Sequence, residues 1–551
     1  MRSGHRESIR RDLGVAALLW VLAFAHRMFF LASNVDRSWG FTVFYEGDSE
    51  TFYNFARAIL GGVPYDGGIP FHPPLWPFVL SRIHALVGAG AVDAQVPHLA
   101  VKACTAGIGS LAVPLLYLLL RRYFGRTAAL ASALVATYSF GLYVISIAPV
   151  TESLYLVLLL GACLLLSTFV HPLSPAGLEL SPAASDGGWM DRPAAVGRLV
   201  AFALGVVLGL LSLTRAEGVL IVFGLVVLGF AGSWPWVGSW LRRGPARESH
   251  MGGRSARALS GSGLVTWSVV ALGFVIVLAP WTARNAGALQ AVNARFASRM
   301  AEPLPTFVPI TAYGPLNFAL ANNREAEGPF SREILTSRAH TATLDVTDPQ
   351  HLEYFLHGYR IGFDWIRSHP ADFVRLVLRK WTIYFEAGSL GFTQWDLPGG
   401  LDGVRRPVDI FVPDSKIAMW ILFPLVVLGA VRTFVAGGPE RRWCFLTLFL
   451  TIAGLISTGL FFGYARLGVL VLPFWISLAV AGVTHLVRDY APPIRNPLLR
   501  RAWMVPVVLL LLLEAWGATG DRNFHATGTQ SAGASHLNPH DTMHLEVISE
   551  P

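Results

Sequence analysis

The sequence predicts an all-α polytopic membrane protein, and three observations carry that expectation. Of its 551 residues, 53% are hydrophobic and only 14% are charged, with a mean hydropathy of +0.50. A soluble globule does not absorb that much apolar surface. Apolar runs of about 20 residues, the length that crosses a hydrocarbon layer of ~30 Å, recur along the chain. Short arginine clusters separate those runs, as the positive-inside rule expects of cytoplasmic loops. They account for the net charge of +8, so nucleic acid is not an expected partner. The three cysteines, Cys104, Cys163 and Cys444, fall inside apolar runs, which supports neither a disulfide framework nor a zinc site. Lysine occurs only at Lys102, Lys380 and Lys416 against a large excess of arginine, a bias of high-GC bacterial genomes. The expected location is therefore a bacterial cytoplasmic (inner) membrane.

Taken in order, residues 1–11 are short and basic, and 13–31 form a first span. No small-residue cleavage site follows it, so the N-terminus is expected in the cytoplasm. Residues 34–97 then lie outside. Within them, 49–60 carries apolar residues at helical spacing (Phe52, Phe55, Ala56, Ile59, Leu60) and stops at Gly61-Gly62. The run 75–87 is apolar but short, and Pro77, Arg82 and His84 interrupt it. If it spanned, every later basic cluster would fall outside. Read as an amphipathic helix lying in the outer interface, it leaves Arg121, Arg122 and Arg126 in the cytoplasm.

Spans follow near 98–120, 127–145, 151–170, 198–213, 217–233 and 263–282. They put the corners Pro149-Val150-Thr151-Glu152, Thr214-Arg215-Ala216-Glu217 and Pro280-Trp281-Thr282-Ala283-Arg284-Asn285 outside. Residues 286–414 contain no apolar run of spanning length but show helical stretches over 351–368 and 372–384. They read as a mainly helical extracytoplasmic segment. Spans near 416–434, 443–461, 467–487 and 502–518 bring the total to about eleven. The chain thus divides into an N-terminal membrane module (1–285) with a catalytic first outer loop (33–97), the outer segment 286–414, C-terminal membrane helices (415–520) and a tail (521–551) expected to be disordered.

On this topology the ionisable residues that do not follow the positive-inside rule gather at the outer face. They are Glu46, Asp48, Glu50, His72, Glu152, Arg215, Glu217, Arg284 and Arg466. Charge beside hydrocarbon is costly, so such groups are candidates for function. Each also has a plain structural reading. Asp48 suits the cap of a helix starting at Ser49, and Glu152 suits a cap or an arginine pair. Arg215 and Glu217 suit an ion pair closing a tight turn. His72 adjoins a rigid Pro73-Pro74 turn. Asn322 and Asn323 either make a turn or touch an acceptor, and Lys380 either snorkels or contacts phosphate. Glu46 and Glu50 read as solvated or supporting groups.

The order of motifs adds to this. Gly47-Asp48 with Tyr53, Gly62-Val63-Pro64-Tyr65 and His72-Pro73-Pro74-Leu75 come first, then Thr151-Glu152-Ser153-Leu154 and Thr214-Arg215-Ala216-Glu217-Gly218. Pro280-Trp281 with Arg284-Asn285, Gly314-Pro315-Leu316-Asn317 through Asn322-Asn323, and Tyr464 with Arg466 ahead of Leu472-Pro473-Phe474 complete the series. Together they resemble the polytopic C-type glycosyltransferases (GT-C), and more closely the bacterial members similar to protein O-mannosyltransferases and to the lipid A aminoarabinose transferase. The resemblance implies a GT-C-like fold and transfer of a sugar from a polyprenyl-phosphate carrier to a protein, lipid or glycan acceptor outside the cytoplasmic membrane.

The resemblance places Asp48 at the family's catalytic aspartate, a general base for an acceptor hydroxyl, with Glu152 as the second catalytic candidate. A single in-line displacement would invert the anomeric carbon. Arg284 and Arg466 are the expected grips on the lipid phosphate, with Tyr53, His72, Arg215, Glu217, Asn322 and Lys380 as further substrate contacts. No cofactor is called for, and a divalent metal at His72 stays open. The Glu-Lys pair of the aminoarabinose transferases is missing there, which weighs against that sugar and against a metal.

The competing function is a secondary transporter or lipid flippase of the cell envelope. Transporters show paired repeats, broken helices and polar midplanes. In this sequence the midplanes of the spans are nearly free of ionisable residues, and the outer segment 286–414 has no counterpart in the other half. A non-catalytic envelope scaffold would need no clustered acids at the outer face.

Overall fold

The computed structural model describes residues 2–33, 48–62, 66–88, 98–170, 192–232, 258–331, 334–335, 346–388 and 415–490. Among them all regular structure is helical. The N-terminal half holds α1 (Arg2–Ser33), α2 (Asp48–Leu60), α3 (Leu75–Leu86), α4 (His98–Ser110), α5 (Ala112–Leu120), α6 (Arg126–Tyr138), α7 (Phe140–Ile147), α8 (Thr151–Val170), α9 (Arg192–Thr214) and α10 (Gly218–Gly232). The C-terminal half holds α11 (Ala258–Phe296), α12 (Gly314–Ala321), α13 (Pro349–Ser368), α14 (Pro370–Phe385), α15 (Ser415–Ala436), α16 (Gly438–Leu460), α17 (Ala465–Val469) and α18 (Leu472–Tyr490).

Among the described residues five helices are long and apolar enough to cross a membrane: Leu99–Leu120, Thr151–Thr168, Val196–Thr214, Val265–Phe296 and Gly438–Leu460. The bent pair α6 and α7 makes a sixth if it counts as one span. This is a multi-pass membrane protein. The expected spans 13–31, 217–233, 416–434 and 467–487 are helical as α1, α10, α15 and α17 with α18, whereas 502–518 and the tail lie outside the described residues.

Three spans differ in shape from the sequence expectation, and a proline explains one of them. The run 98–120 is interrupted at Leu111, because Pro114 has no N–H to offer the Ser110 carbonyl. The run 127–145 bends by 58° at Ser139, whose backbone is extended. Residues 263–282 were expected to leave the membrane at Pro280, yet α11 continues as one 39-residue helix to Phe296 with Pro280 inside it. The proline's lost hydrogen bond is offset by tertiary ties on both following turns. Trp281 Nε1 donates to the Ile310 carbonyl at 2.9 Å, and Asn285 Nδ2 donates to Val308 and Ile310 at 3.0 and 3.1 Å.

The membrane core packs α5, α6, α8, α9 and α18 around Tyr117, Leu160, Leu208, Trp443 and Phe474. Small residues bring backbones into contact, the usual device where lipid offers no hydrophobic drive for helix association. A Cβ added at Gly429 of α15 would collide with the Leu478 carbonyl oxygen of α18. At one end of the bundle a second, smaller core joins the last turns of α11 to α12 and α13 and to the loop before α3, through Ile69, Phe71, Leu289, Leu316 and Phe355. Asp348 caps α13, its carboxylate accepting from Gln350 N and His351 N. α3 is the short helix expected of an interface element. It buries Trp76, Leu80 and Ile83 against Phe52 and Ala56 of α2 and exposes Phe78 and Leu86.

The close approach at Gly429 yields a check on the packing. Gly429→Leu is expected to prise α15 from α18 at a cost of about 1–3 kcal/mol, the usual penalty of overpacking. It would be read as a lowered melting temperature of the purified protein, and an unchanged one would refute the contact.

Candidate active site

Two chain corners and Arg466, which the sequence placed on one side of the membrane, meet in the structure. Glu152, in the first turn of α8, is 1% exposed. Arg215, just past the end of α9, reaches it with Nη1 at 2.6 Å from Oε1 and reaches Glu217 with Nη2 at 3.0 Å. Thr151 Oγ1 accepts from Arg215 Nη1 at 3.1 Å and donates to Glu152 Oε2 at 3.1 Å. Arg466, carried by α17, brings its Nε to 3.4 Å from Glu152 Oε1 and stacks its guanidinium over the Tyr464 ring at 4.7 Å. Two carboxylates thus face two guanidinium groups, and the start of α8 adds the partial positive charge of a helix N-terminus beside Glu152. Burial opposes the charge on Arg215, but Glu217 and Glu152 outweigh it and hold the guanidinium protonated. Burial likewise works to raise the Glu217 carboxyl, and Arg215 overrides that and holds it below its ordinary value.

Beside this cluster opens a largely apolar cleft. α8 supplies Tyr155 and Leu159, α10 supplies Leu220 and Ile221, and α16 supplies Ala453 and Gly454. Arg215 and Glu217 also line it, so the cleft has a charged end and an apolar length. The sequence singled out Arg215, Glu217, Glu152 and Arg466 from their place at span ends. It gave no sign of Tyr155, Gly454 or the cleft itself, because helices far apart in sequence build its walls.

Other candidates are engaged elsewhere. Arg284 makes a fork-to-fork pair with Asp66, both N–O distances being 2.7 Å, and lies over Trp281 at 4.7 Å. The Asp66 side chain is fully buried and also accepts from Gly68 N. This pair fastens the loop before α3 to α11, and Asp66 was not singled out in the sequence because Tyr65-Asp66-Gly67-Gly68 reads as an ordinary turn. Asn322 donates to the Phe318 and Leu460 carbonyls, and Asn323 donates to Ala319 and Leu320. Lys380, fully buried on α14, donates to the carbonyls of Ala321 and Gly459 at 2.9 and 3.3 Å, at the C-terminal ends of α12 and α16. Helix C-termini favour a cation. Burial nevertheless lowers the Lys380 ammonium to about 7.

His72 lies among aromatic rings, 5.5 Å from Phe52, 5.4 Å from Phe55 and 5.6 Å from Tyr313. Tyr53 is 5.2 Å from the His84 ring, with the Arg57 guanidinium at 5.7 Å. Among the described residues no group of three His, Cys, Asp or Glu side chains is placed to hold a metal. Asp48 is the first residue of α2, but its side chain, that of Glu50 and the whole of Glu46 lie outside the described set. The structure does fix the neighbourhood of α2: Trp76 of the adjoining α3 donates from Nε1 to the Pro149 carbonyl at 2.9 Å, three residues before Glu152. Two cations that the sequence reading passed over, Arg27 and Lys102, are buried in α1 and α4, with Arg27 Nη1 donating to the Ala23 carbonyl.

No protein-family model matches the chain, and no curated protein matches it. Among solved structures, it is similar to the oligosaccharyltransferase AglB of Archaeoglobus fulgidus in complex with an inhibitory peptide and a dolichol-phosphate, at 14% identity and a TM-score of 0.48. That match covers 95% of this chain and 56% of the other. The apo form of the same oligosaccharyltransferase gives 14% identity, a TM-score of 0.47 and coverage of 97% and 61%. The Saccharomyces cerevisiae protein O-mannosyltransferase Pmt1-Pmt2 complex bound to the sugar donor gives 16% identity and a TM-score of 0.34, covering 58% of this chain and 38% of that one. The chain therefore spans little more than half the length of the oligosaccharyltransferase.

The Arg215 ion pairs and the buried Lys380 each yield a prediction. Removing one member of a buried pair strands the other, so Arg215→Met is expected to cost roughly 3–5 kcal/mol. Adding Glu152→Gln should restore part of that loss in a double-mutant cycle read by thermal denaturation. For Lys380, the folded ammonium has the lower pKa, so the unfolded chain binds the extra proton between about pH 7 and the ordinary lysine value. Stability is expected to rise with pH across that window, and Lys380→Met should flatten the slope.

Proposed function

We propose that this protein is a membrane glycosyltransferase that moves a sugar from a polyprenyl-phosphate carrier to an acceptor at the extracytoplasmic face. The observation that supports this reading is the apolar cleft with Arg215 at its charged end and Arg466 bound to the same carboxylate. A prenyl chain needs a hydrocarbon-lined channel reached from the bilayer, and its phosphate needs cations that exchange their carboxylate partners for phosphate oxygens. The motif order described above supplies the reaction class.

In this reading Asp48 is the general base. An acceptor hydroxyl attacks the anomeric carbon as Asp48 takes its proton, the bond from that carbon to the phosphate oxygen breaks, and the lipid phosphate leaves with the electron pair. Displacement from the opposite side inverts the configuration. Arg466 and Arg215 stabilise the negative charge that grows on the leaving phosphate. Glu152 holds both guanidinium groups in place before the donor arrives. Arg284 acts through Asp66, positioning the loop before α3, and Lys380 with Asn322 positions the ends of α12 and α16.

The test is transfer of a labelled sugar from synthetic polyprenyl-phosphate sugars by the purified protein in lipid discs. Asp48→Asn, at equal folded amounts, is expected to lower turnover about 10²–10⁴-fold, the usual contribution of a general base. Activity with nucleotide sugars in place of the lipid donor would overturn the donor class, and full activity of Asp48→Asn would move the base elsewhere.

A further inference from the structure

α14 has a second face that the site does not use. Its buried face is Leu376, Lys380, Ile383 and Tyr384. On the opposite side Val374 is 56% exposed and Leu378 is 54% exposed. They lie four residues apart and share one stripe of the helix with the half-buried Trp381. Large aliphatic side chains left bare one turn apart on a helix of an extramembrane domain call for a partner.

The contacts of α14 identify that partner. The helix runs antiparallel along the last turns of α16. Trp381 Nε1 donates to the Leu455 carbonyl at 2.9 Å, a Cβ added at Gly454 would meet the Tyr384 hydroxyl, and one added at Gly459 would meet Val377 and Trp381. α16 is one of the helices of spanning length and apolarity, and its outward residues Leu448, Ile452, Ile456 and Leu460 form an exposed stripe at four-residue intervals. Such a stripe on a membrane span faces acyl chains. Val377 and Trp381 are thus packed beside the level at which that lipid-facing stripe ends, and the bare Val374 and Leu378 adjoin them. Arg375 and Arg379 flank the apolar stripe on its other edge, paired with Asp372 and Glu327. That order of an apolar stripe bordered by charge is the pattern of a helix lying in the membrane interface.

We infer that α14 is seated in the lipid leaflet at the end of α16, with Val374 and Leu378 against phospholipid acyl chains. The occupant of this face is bilayer lipid, because the face continues the lipid-facing surface of a membrane span. The segment 286–414 is then not held wholly clear of the bilayer, since its last helix lies in it. This inference does not depend on the proposed glycosyltransfer.

The test uses the full chain in lipid discs, with a benzophenone amino acid at position 374 or 378 and, as controls, at Arg379 on the charged edge and Arg360 on α13. Photolysis at 374 and 378 is expected to give phospholipid adducts by mass spectrometry, at least ten-fold more than at 360. Protein cross-links at 374 and 378, or lipid yields equal to that at 360, would overturn the inference. Both labelled positions are exposed, so the probe displaces no core side chain.

Discussion

A carboxylate buried next to hydrocarbon has to be neutralised, and the structure around Glu152 follows from that constraint. An isolated ionised group there would cost many times the net stability of a domain. Glu152 meets the requirement with arginines from two other corners of the chain, one after α9 and one in α17. Those corners must therefore converge, and with them α8, α10, α16 and α17 close around one cleft.

Much of the architecture was legible in the sequence because the bilayer imposes simple rules. Span length marked which described segments are helical, and the short α3, α13 and α14 fall where apolar spacing put them. What was not legible has physical causes. Pro280 reads locally as a helix end, whereas Trp281 and Asn285, bonded to carbonyls more than twenty residues away, help to keep α11 intact. Arg284 stood out as a phosphate ligand because its partner, Asp66, lies 218 positions away in a glycine-rich turn. Side-chain pairing across such separations leaves no local pattern.

The candidate site was legible in part for the same reason. Glu152, Arg215, Glu217 and Arg466 were found from their unusual place at the ends of spans, a signal created by the cost of charge near lipid. The cleft wall carries no such signal. Leu159, Leu220, Ile221 and Gly454 look like any other residues of an apolar helix, and only the packing of four helices makes them a common surface. Asn322 and Lys380, singled out for their chemistry, bond to main-chain carbonyls at the ends of α12 and α16 and tie the small outer core to the bundle.

The uninterrupted α11 gives the molecule a strut. At 1.5 Å per residue its 39 residues extend about 58 Å, more than the full thickness of a bilayer with its headgroups. Its membrane portion is packed on α9, where Gly205 and Gly273 let the two backbones touch, and its far portion carries the small outer core and, through Arg284, the loop holding Asp66. A rod clamped at both ends transmits tilt. If the α9–α11 pair leans, the loop before α3 is carried with it through the Arg284–Asp66 pair.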